Sequence, residues 1–324
     1  MGVHSGADRV RAEGRHTAGE VCRNAGISDA TLYNWRKKYS SVLPPEMKRL
    51  RHLEQENARL KGIAADLSLD KALAGTVGRY SEFAPSARLQ PHFRCVWTHA
   101  VPADHTGAIA VVPDGCVDLL WRDGRLMVAG PDLTAALPDL RPGSTILGMR
   151  FQPGAATRWL GLPMTEIVGR EVELTEFWGN RAHELTGRLS EKTTTSEQAQ
   201  LLQQLLLGVT ADIEPVAQDA AAIFSVAGRA SREGNRAMSL LLDRLDVSER
   251  TLRRRSHDYF GYGPKTLSRI LRFQRFLSLA RSDRSARLSA LAFDAGYADQ
   301  PHLSREIQSL CGMTALTFLR QLRP

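Results

Sequence analysis

The chain has 324 residues, and its 43 basic and 35 acidic side chains give a formal charge of +8. At about 100–200 residues per domain, this length predicts two or three domains. Hydrophobic residues make up 43% and charged residues 24%, values that exclude a wholly disordered chain. No apolar run approaches the roughly 18 residues of a membrane helix, so a membrane protein is not expected. The four cysteines lack disulfide-framework or metal-site spacing, which predicts a reducing, cytoplasmic location: Cys22, Cys95, Cys116 and Cys311.

The positive charge is concentrated at the two ends of the chain. Residues 1–75 carry a net +4, residues 76–220 carry −5, and residues 221–324 carry +9. Arginine supplies 17 of the 18 basic side chains in the last segment. A basic domain favours a polyanionic partner such as nucleic acid, and arginine can form paired hydrogen bonds to phosphate or guanine. An arginine-rich composition inherited from a GC-rich genome is the alternative that the charge alone leaves open.

Near the start, residues 17–39 have the pattern of two helices joined by a short turn. Ser28 is a suitable N-cap for the second helix, which has a basic C-terminal end. Thr31, Asn34 and Lys38 fall on one face of this helix. The pattern predicts an N-terminal helix-turn-helix, with these three residues as a possible second set of DNA contacts.

A longer helix, predicted from residue 46 to residue 73, carries a heptad seam. Asn57 takes one a position of this seam, where asparagine favours a two-stranded coiled coil in a fixed register. The seam predicts a homodimer, and an amphipathic helix packed on its own domain is the alternative. The residues of the predicted dimer contact are Leu50, Leu53, Asn57, Leu60 and Leu67.

The middle of the chain changes from helical to alternating periodicity. The predicted strands cover residues 108–112, 116–121, 125–129 and 146–151. Asp123-Gly124 predicts a tight hairpin between the second and third of them. The predicted helices cover residues 155–161, 181–190 and 195–224. This mixture predicts a central α+β domain.

From residue 235 onward the chain is almost wholly helical and contains two further helix-turn-helix patterns. In the first, Ser248 caps a helix whose basic residues recur at i, i+3, i+4 and i+7 and therefore form one stripe. A short helix with a basic face suits major-groove reading, and a solvated helix surface is the alternative. The stripe consists of Arg250, Arg253, Arg254 and His257.

The second pattern opens its second helix at Asp299, after a turn and a long connecting helix over about 264–280. Gln300, His302 and Arg305 are the exposed candidates for contacts with bases or phosphates. No second ligand lies at helical spacing from His302, so no metal site is predicted there.

Four motifs stand out in this C-terminal region: VSERTLRR at 247–254, GYGPK at 261–265, LRFQR at 271–275 and AGYADQPHLSR at 295–305. Together they resemble the DNA-binding domain of the AraC/XylS family of bacterial transcription regulators. The resemblance implies two helix-turn-helix subdomains whose recognition helices enter successive major grooves of double-stranded DNA. It also makes RNA polymerase a possible further partner. The positions that the resemblance implies read the bases are Arg250, Arg253 and Arg254 in the first unit and Gln300, Pro301, His302 and Arg305 in the second.

Two motifs of the middle region are VPDGCVDLLW at 112–121 and GMRFQPGAA at 148–156. They resemble the uncharacterised N-terminal domain of one AraC-type subgroup, which implies a regulatory domain for an unknown small-molecule effector. Asp114, Cys116 and Asp118 alternate along the predicted strand, where they could form a site. The alternative is a turn and a strand pairing with a buried cysteine.

The front end contains EVCRNAGISDATLYNWRKKY at 20–39 and AADLSLDK at 64–71. These stretches resemble the short helix-turn-helix and leucine-zipper protein encoded by the first reading frame of many bacterial insertion sequences. That resemblance implies binding to transposon ends and dimerisation.

The predicted fold is therefore multidomain and mainly α. An N-terminal helix-turn-helix plus zipper helix (1–75) precedes a central α+β domain (76–220) and a C-terminal all-α double helix-turn-helix domain (221–324). The predicted function is sequence-specific transcription regulation in the bacterial cytoplasm, at the nucleoid. The alternative is a transposition accessory protein that binds DNA through its N-terminal helix-turn-helix. No enzyme, cofactor or metal is predicted, because no nucleophile–base pair or phosphate loop is present.

Overall fold

The computed structural model describes residues 78–105, 111–233, 235–283 and 285–322. All of these residues belong to one compact unit. The predicted N-terminal helix-turn-helix with Thr31, Asn34 and Lys38 lies outside the described residues, as does the predicted zipper seam from Leu50 to Leu67.

The described part of the central region forms a six-stranded antiparallel sheet. Its strands are β1 (Arg79–Phe83), β2 (Phe93–Ala100), β3 (Asp118–Arg122), β4 (Arg125–Ala129), β5 (Thr145–Phe151) and β6 (Glu171–Glu173). Their order across the sheet is β1-β2-β5-β3-β4-β6. The prediction located β4, β5 and all of β3 except its last residue, but it missed β1, β2 and β6. Of the strand predicted over 108–112, the described residue Val111 forms only an isolated bridge with Ala136.

The tight hairpin predicted at Asp123-Gly124 is confirmed. It joins β3 to β4, with Arg122 paired directly to Arg125. Asp123 and Gly124 have left-handed φ values of 51° and 76°. Two consecutive left-handed residues fit a type I′ turn, whose twist matches that of the flanking strands.

Of the three predicted central helices, the first and the last are shorter than predicted, and the middle one agrees to within one residue. The observed central helices are α1 (Ala156–Leu160), α2 (Thr175–Trp178), α3 (Asn180–Ser190) and α4 (Thr195–Leu207), with single 3-10 turns at Met164–Glu166 and Thr210–Asp212. The continuous helix predicted over residues 195–224 is wrong, because α4 ends before Gly208 and the next helix begins at Gln218. Pro215 lies in the gap, where its missing N–H and fixed φ oppose helix continuation.

The described C-terminal region is helical throughout. It contains α5 (Gln218–Glu233), α6 (Asn235–Leu245), α7 (Glu249–Phe260), α8 (Pro264–Ser282), α9 (Leu288–Ala295), α10 (Gln300–Cys311) and α11 (Ala315–Leu322). The pairs α6–α7 and α9–α10 form the two predicted helix-turn-helix units, and α8 is the predicted connecting helix. α5 buries Ala220 in the C-terminal core, so a boundary between residues 220 and 221 cuts this helix. The three-part division of the chain stays a prediction.

The described residues contain two large apolar cores and a small third cluster of Val101, Leu120 and Ile146. The central core is centred on Trp159, whose ring lies edge-on to Phe93 with centroids 4.8 Å apart. Val216, between α4 and α5, packs against both cores. The C-terminal core is centred on three rings whose centroids are at most 6.2 Å apart: Phe273, Phe276 and Phe318.

Candidate nucleic-acid interface

The first candidate reading helix, α7, is fixed at its start by the turn that precedes it. Asp246 has a left-handed φ of 49°, which lets the chain reverse between α6 and α7. Ser248 then caps α7, because its hydroxyl accepts a hydrogen bond from the amide of Thr251 at 3.2 Å. Glu249 lies in the first turn, where the helix dipole stabilises a negative charge. The predicted turn and cap are therefore confirmed.

The predicted basic stripe lies on the outer side of α7. Arg250, Arg253 and Arg254 are exposed, and His257 is half-buried. Within the described parts of the chain, none of these three arginines forms a salt bridge. Their guanidinium groups are thus available to an external anion, whereas His257 offers only part of its ring.

The opposite side of α7 is tied into the protein. Leu252 is buried, and the Ser256 hydroxyl, fully buried, donates a hydrogen bond to the carbonyl oxygen of Tyr262 at 2.8 Å. Arg255 turns inward, with its Nη1 3.0 Å from Oδ2 of Asp219 on α5. The three consecutive arginines of α7 thus divide into two exposed side chains and one that fixes the helix.

The second candidate reading helix, α10, begins with a strong cap. Oδ1 of Asp299 accepts a hydrogen bond from the amide of His302 at 2.6 Å. Pro301 lies in the first turn, where its missing N–H has no helical partner to lose. Leu303 and Ile307 are fully buried and hold the helix in the C-terminal core, as predicted.

The three predicted contact residues of α10 differ in accessibility. Gln300 and Arg305 are exposed. His302 was expected to be exposed but is partly buried, because its ring lies edge-on against Tyr297 with centroids 5.3 Å apart. The guanidinium of Arg272, on α8, lies 4.7 Å from the centroid of the same tyrosine ring. His302 therefore presents only one edge outward.

The connecting helix α8 holds the two reading units at a defined separation. Nε of Arg269 lies 3.0 Å from Oε2 of Glu306, and Nη2 of Arg269 donates to the Ser309 hydroxyl at 3.1 Å. These contacts join α8 to α10. α8 has 19 residues. At about 1.5 Å per residue it is about 28 Å long, near the roughly 34 Å of one turn of B-DNA.

Lys265 extends the basic surface beyond α7, and sequence reasoning gave it no role. It is exposed in the first turn of α8. Gly263, two residues earlier, lies against α7, since a Cβ there would be 3.4 Å from Nε2 of His257 and 3.9 Å from Cγ of Arg253. The available signal was a lysine directly after the first helix-turn-helix, within the GYGPK motif.

The C-terminal end of α7 is seated against the central region. Gly261 ends the helix with a left-handed φ of 80°. A Cβ at Gly261 would be 2.4 Å from Cγ2 of Val168 and 3.1 Å from both the Met164 carbonyl oxygen and Cγ of Pro131. Only glycine allows this approach. We call this the Gly261 contact.

Two further glycines of the central motifs lie at the same interface. Gly154 is also left-handed, and a Cβ there would be 2.6 Å from Cβ of Ala220, at the start of α5. A Cβ at Gly115 would be 3.2 Å from Cδ1 of Leu267 and 3.4 Å from Cε2 of Phe224. The two motifs that resemble a regulatory domain therefore contain the glycines that contact the helical region.

The central region also contacts the second reading unit. The amide of Ala135 donates to the carbonyl oxygen of Leu310, near the end of α10, at 2.7 Å. Nε2 of Gln274, on α8, donates to the carbonyl oxygen of Pro113 at 2.7 Å. The central region thus touches both reading units and the helix between them.

The group Asp114, Cys116 and Asp118 does not alternate on one strand, so that expectation is wrong. β3 begins only at Asp118, and Oδ1 of Asp114 accepts from the amide of Cys116 at 2.9 Å in a turn. Arg150 lies between the two carboxylates, 3.2 Å from each. Burial raises the pKa of the Cys116 thiol, and the charge of Asp114 adds to the rise. The alternative of a turn with a buried cysteine describes this site.

In the described residues, no three His, Cys, Asp or Glu side chains are placed to hold a metal ion. None of the described helices is long and apolar enough to cross a membrane.

Comparison with known families divides the chain into three matched segments. Residues 8–65 match a family described as Transposase, and residues 81–173 match a Domain of unknown function (DUF6597). Residues 241–321, which include both reading helices, match a Helix-turn-helix domain of the AraC type. The C-terminal segment is therefore an AraC-type DNA-binding domain, the kind found in transcription regulators. The resemblances inferred from its motifs are thereby confirmed.

The N-terminal segment of the chain is similar to short insertion-element proteins. It is 48% identical over 61 residues to an uncharacterised 10 kDa protein of insertion element ISR1 from Rhizobium sp, a match over 18% of this chain and 69% of that protein. It is 47% identical over 57 residues to the low calcium response locus protein S of Yersinia pestis, over 18% of this chain and 64% of that protein. The chain thus spans about two thirds of the length of these relatives.

Among solved structures, the regulator is similar to ToxT of Vibrio cholerae. Apo ToxT matches with a TM-score of 0.38 and 11% identity, over 75% of this chain and 96% of that one. ToxT bound to an unsaturated fatty acid matches with a TM-score of 0.36 and 10% identity, over 64% of this chain and 84% of that one.

Proposed function

We propose that this regulator reads two successive major grooves of DNA with α7 and α10. The observation that carries the proposal is the division of the arginines of α7. Arg250, Arg253 and Arg254 are exposed without a salt bridge in the described structure, whereas Arg255 is bound to Asp219. Exposed, unpaired arginines on a capped helix suit contacts with guanine or phosphate.

The residues proposed to read DNA lie on the outer sides of the two helices. On α10 the side chains of Gln300 and Arg305 are exposed, and His302 is partly exposed. The helix α8 between the units is near one DNA turn in length, which supports simultaneous binding on one side of the duplex. The proposed DNA contacts are Arg250, Arg253, Arg254, His257, Gln300, His302 and Arg305.

The test is a DNA-binding titration with the full chain, on a sequence selected from a random pool. Replacement Arg254→Ala removes a proposed base contact and should weaken binding by about 1–3 kcal/mol, or roughly 5–150-fold. Arg305→Ala should act similarly. The matched control is Arg125→Ala, which removes one positive charge from β4, far from both motifs in sequence. Equal affinities for all three variants would refute the site assignment.

Lys265 is proposed to contact phosphate. Lys265→Ala should weaken binding evenly across DNA sequences and should lower the slope of log affinity against log salt by about 1. A change in preferred sequence, with an unchanged salt slope, would contradict that role.

The transposase-type segment supports a second proposal, that the front end adds a DNA reader. The similarity of residues 8–65 to a Transposase family is the observation behind it. The unchanged full chain should then select DNA with extra half-sites from a random pool. A full chain with alanine at Thr31, Asn34 and Lys38 should select DNA that lacks those half-sites. Identical selected sequences would show that the front end does not contribute to DNA recognition.

The zipper seam is proposed to dimerise the regulator. A full chain carrying Leu53→Glu and Leu60→Glu should then have half the mass of the unchanged chain by light scattering.

Catalysis is not part of the proposal, since burial raises the pKa of both the Cys95 and Cys116 thiols and so suppresses their nucleophilic forms. Contact with RNA polymerase would place the regulator at promoter DNA.

A further inference from the structure

A cavity of about 420 Å³ lies between the central sheet and the DNA-reading region. Its volume falls within the range of small-molecule sites, about 300–1,000 Å³. One wall is formed by side chains of β1, β2 and β5 and by the turn before β3. The other wall is formed by α5 and α8. We call it the interface cavity.

Arg94 supplies an unpaired positive charge to the sheet wall. The register between β2 and β5 shifts between Phe93 and Cys95, so Arg94 lies on a β-bulge. Bulges redirect a side chain out of the regular alternation and are over-represented beside binding sites. Among the described residues, Arg94 has no ion-pair partner. Its side chain lines the cavity together with Cys95 and Cys116.

Glu82 supplies a negative charge to the same wall. One carboxylate oxygen, Oε1, accepts a hydrogen bond from the Tyr80 hydroxyl, which leaves Oε2 for another donor. The other charged lining residues, Asp114 and Arg150, are already paired at 3.2 Å, and Arg150 also pairs with Asp118 behind them. One cation and one anion therefore remain available to a ligand, Arg94 and Glu82.

The helix wall carries no formal charge. Phe224 and Leu271 give it an apolar surface, and Ser225 adds a hydroxyl. Gln274 uses its Nε2 on the Pro113 carbonyl oxygen, so its Oε1 is left to accept a hydrogen bond. Gly228 leaves space, since a Cβ there would approach only Cδ1 of Leu271, at 3.7 Å.

We propose that the interface cavity binds a small zwitterion with an apolar side chain, the chemistry of an α-amino acid. Its carboxylate pairs with Arg94, its ammonium pairs with Glu82, and its side chain packs on Phe224 and Leu271. The ligand touches both walls, so its binding alters the docking of the central sheet on α5 and α8. This regulatory consequence rests on the proposed function, whereas binding itself does not.

The binding test uses the full chain and three matched probes. L-Phenylalanine carries both charges, 3-phenylpropanoate lacks the ammonium group, and 2-phenylethylamine lacks the carboxylate. Calorimetric titration should show binding of phenylalanine, with each analogue at least tenfold weaker. No heat and no rise in melting temperature with phenylalanine, leucine or methionine would overturn the proposal. Equal binding of 3-phenylpropanoate and phenylalanine would overturn it as well.

Point variants test whether phenylalanine binds in the interface cavity. Arg94→Gln and Glu82→Gln should each weaken phenylalanine binding at least tenfold, whereas Arg88→Gln, an exposed arginine outside the cavity, should leave it unchanged. Gly228→Leu fills the cavity from the helix wall and should abolish binding without altering a charge. The melting temperatures of the ligand-free variants show whether each one folds. Unchanged affinity in both Arg94→Gln and Gly228→Leu would refute this location.

The two proposals fail separately. If phenylalanine does not bind but Arg254→Ala still loses DNA affinity, only the cavity proposal falls. If phenylalanine binds and Arg254→Ala leaves DNA affinity unchanged, only the DNA-contact assignment falls. If both hold, saturating phenylalanine should change the DNA affinity of the unchanged chain and leave that of Arg94→Gln constant.

Discussion

The Gly261 contact allows the docking of the central region on α7 to be measured as a stability difference. Gly261→Ala places a Cβ 2.4 Å from Cγ2 of Val168 at a left-handed φ of 80°. The left-handed conformation costs an L-residue about 1–2 kcal/mol. Overfilling a tight contact costs about 1–3 kcal/mol more. The expected loss in the free energy of unfolding is therefore about 2–5 kcal/mol.

Gly161→Ala is the matched control for the backbone part of this loss. Gly161 also ends a helix, has a nearly equal φ of 73°, and has no atom within 4 Å of the Cβ position. Its substitution should cost only about 1–2 kcal/mol. Urea denaturation measures the free energy of unfolding of both variants. The difference between their two losses is the cost of the Gly261 contact.

A double variant identifies the atoms responsible. Val168→Ala removes the Cγ2 methyl group, so combining it with Gly261→Ala should recover about 0.5–3 kcal/mol relative to the sum of the single changes. DNA affinity should fall more in Gly261→Ala than in Gly161→Ala, because only the former displaces α7. Equal unfolding free energies for the two alanine variants would refute the tight docking of the central region on this helix.

Three further changes test individual interactions. Asp246→Gly should stabilise the protein by up to about 1 kcal/mol, because glycine adopts the left-handed φ of 49° without strain; a lower midpoint in urea would contradict this. Ser256→Ala should cost about 1–3 kcal/mol, because the carbonyl oxygen of Tyr262 loses its buried donor; thermal melting measures the loss, and an unchanged melting temperature would argue against the bond. Burial, together with two neighbouring carboxylates, raises the pKa of Asp132 to about 6. The ionised group therefore lowers stability above pH 6, and this cost fades as the pH falls towards the unfolded value near 4. Asp132→Asn should accordingly raise the unfolding free energy by about 1 kcal/mol at pH 7.5 and leave it unchanged at pH 4, and the same gain at both pH values would be inconsistent with this titration.

The sequence predicted the reading helices well because their signals are local. Ser248 and Asp299 lie directly before α7 and α10 and cap them, and the apolar spacing of Leu303 and Ile307 marks the buried side of α10. The Asp-Gly hairpin is another local signal, since Asp123 and Gly124 adopt the backbone conformation that their residue types favour.

Features that depend on long-range contacts escaped prediction. β1 has little apolar alternation, because most of its residues are exposed at the edge of the sheet, and it pairs only with β2. Nothing in the sequence indicated that Arg255 would turn inward, since its partner Asp219 lies 36 residues away. The interface cavity depends on three strands and two helices that meet only in the folded chain, so its lining could not be assembled from spacing.

The glycine contacts also limit how a regulator of this type can be assembled by recombination. Gly115 and Gly154 come from the central motifs, Gly261 comes from the helix-turn-helix motifs, and each has its close neighbour on the opposite side. If the C-terminal helical region were joined to a different central region, side chains larger than glycine at these positions would clash with it. The two regions are therefore expected to be inherited as a pair.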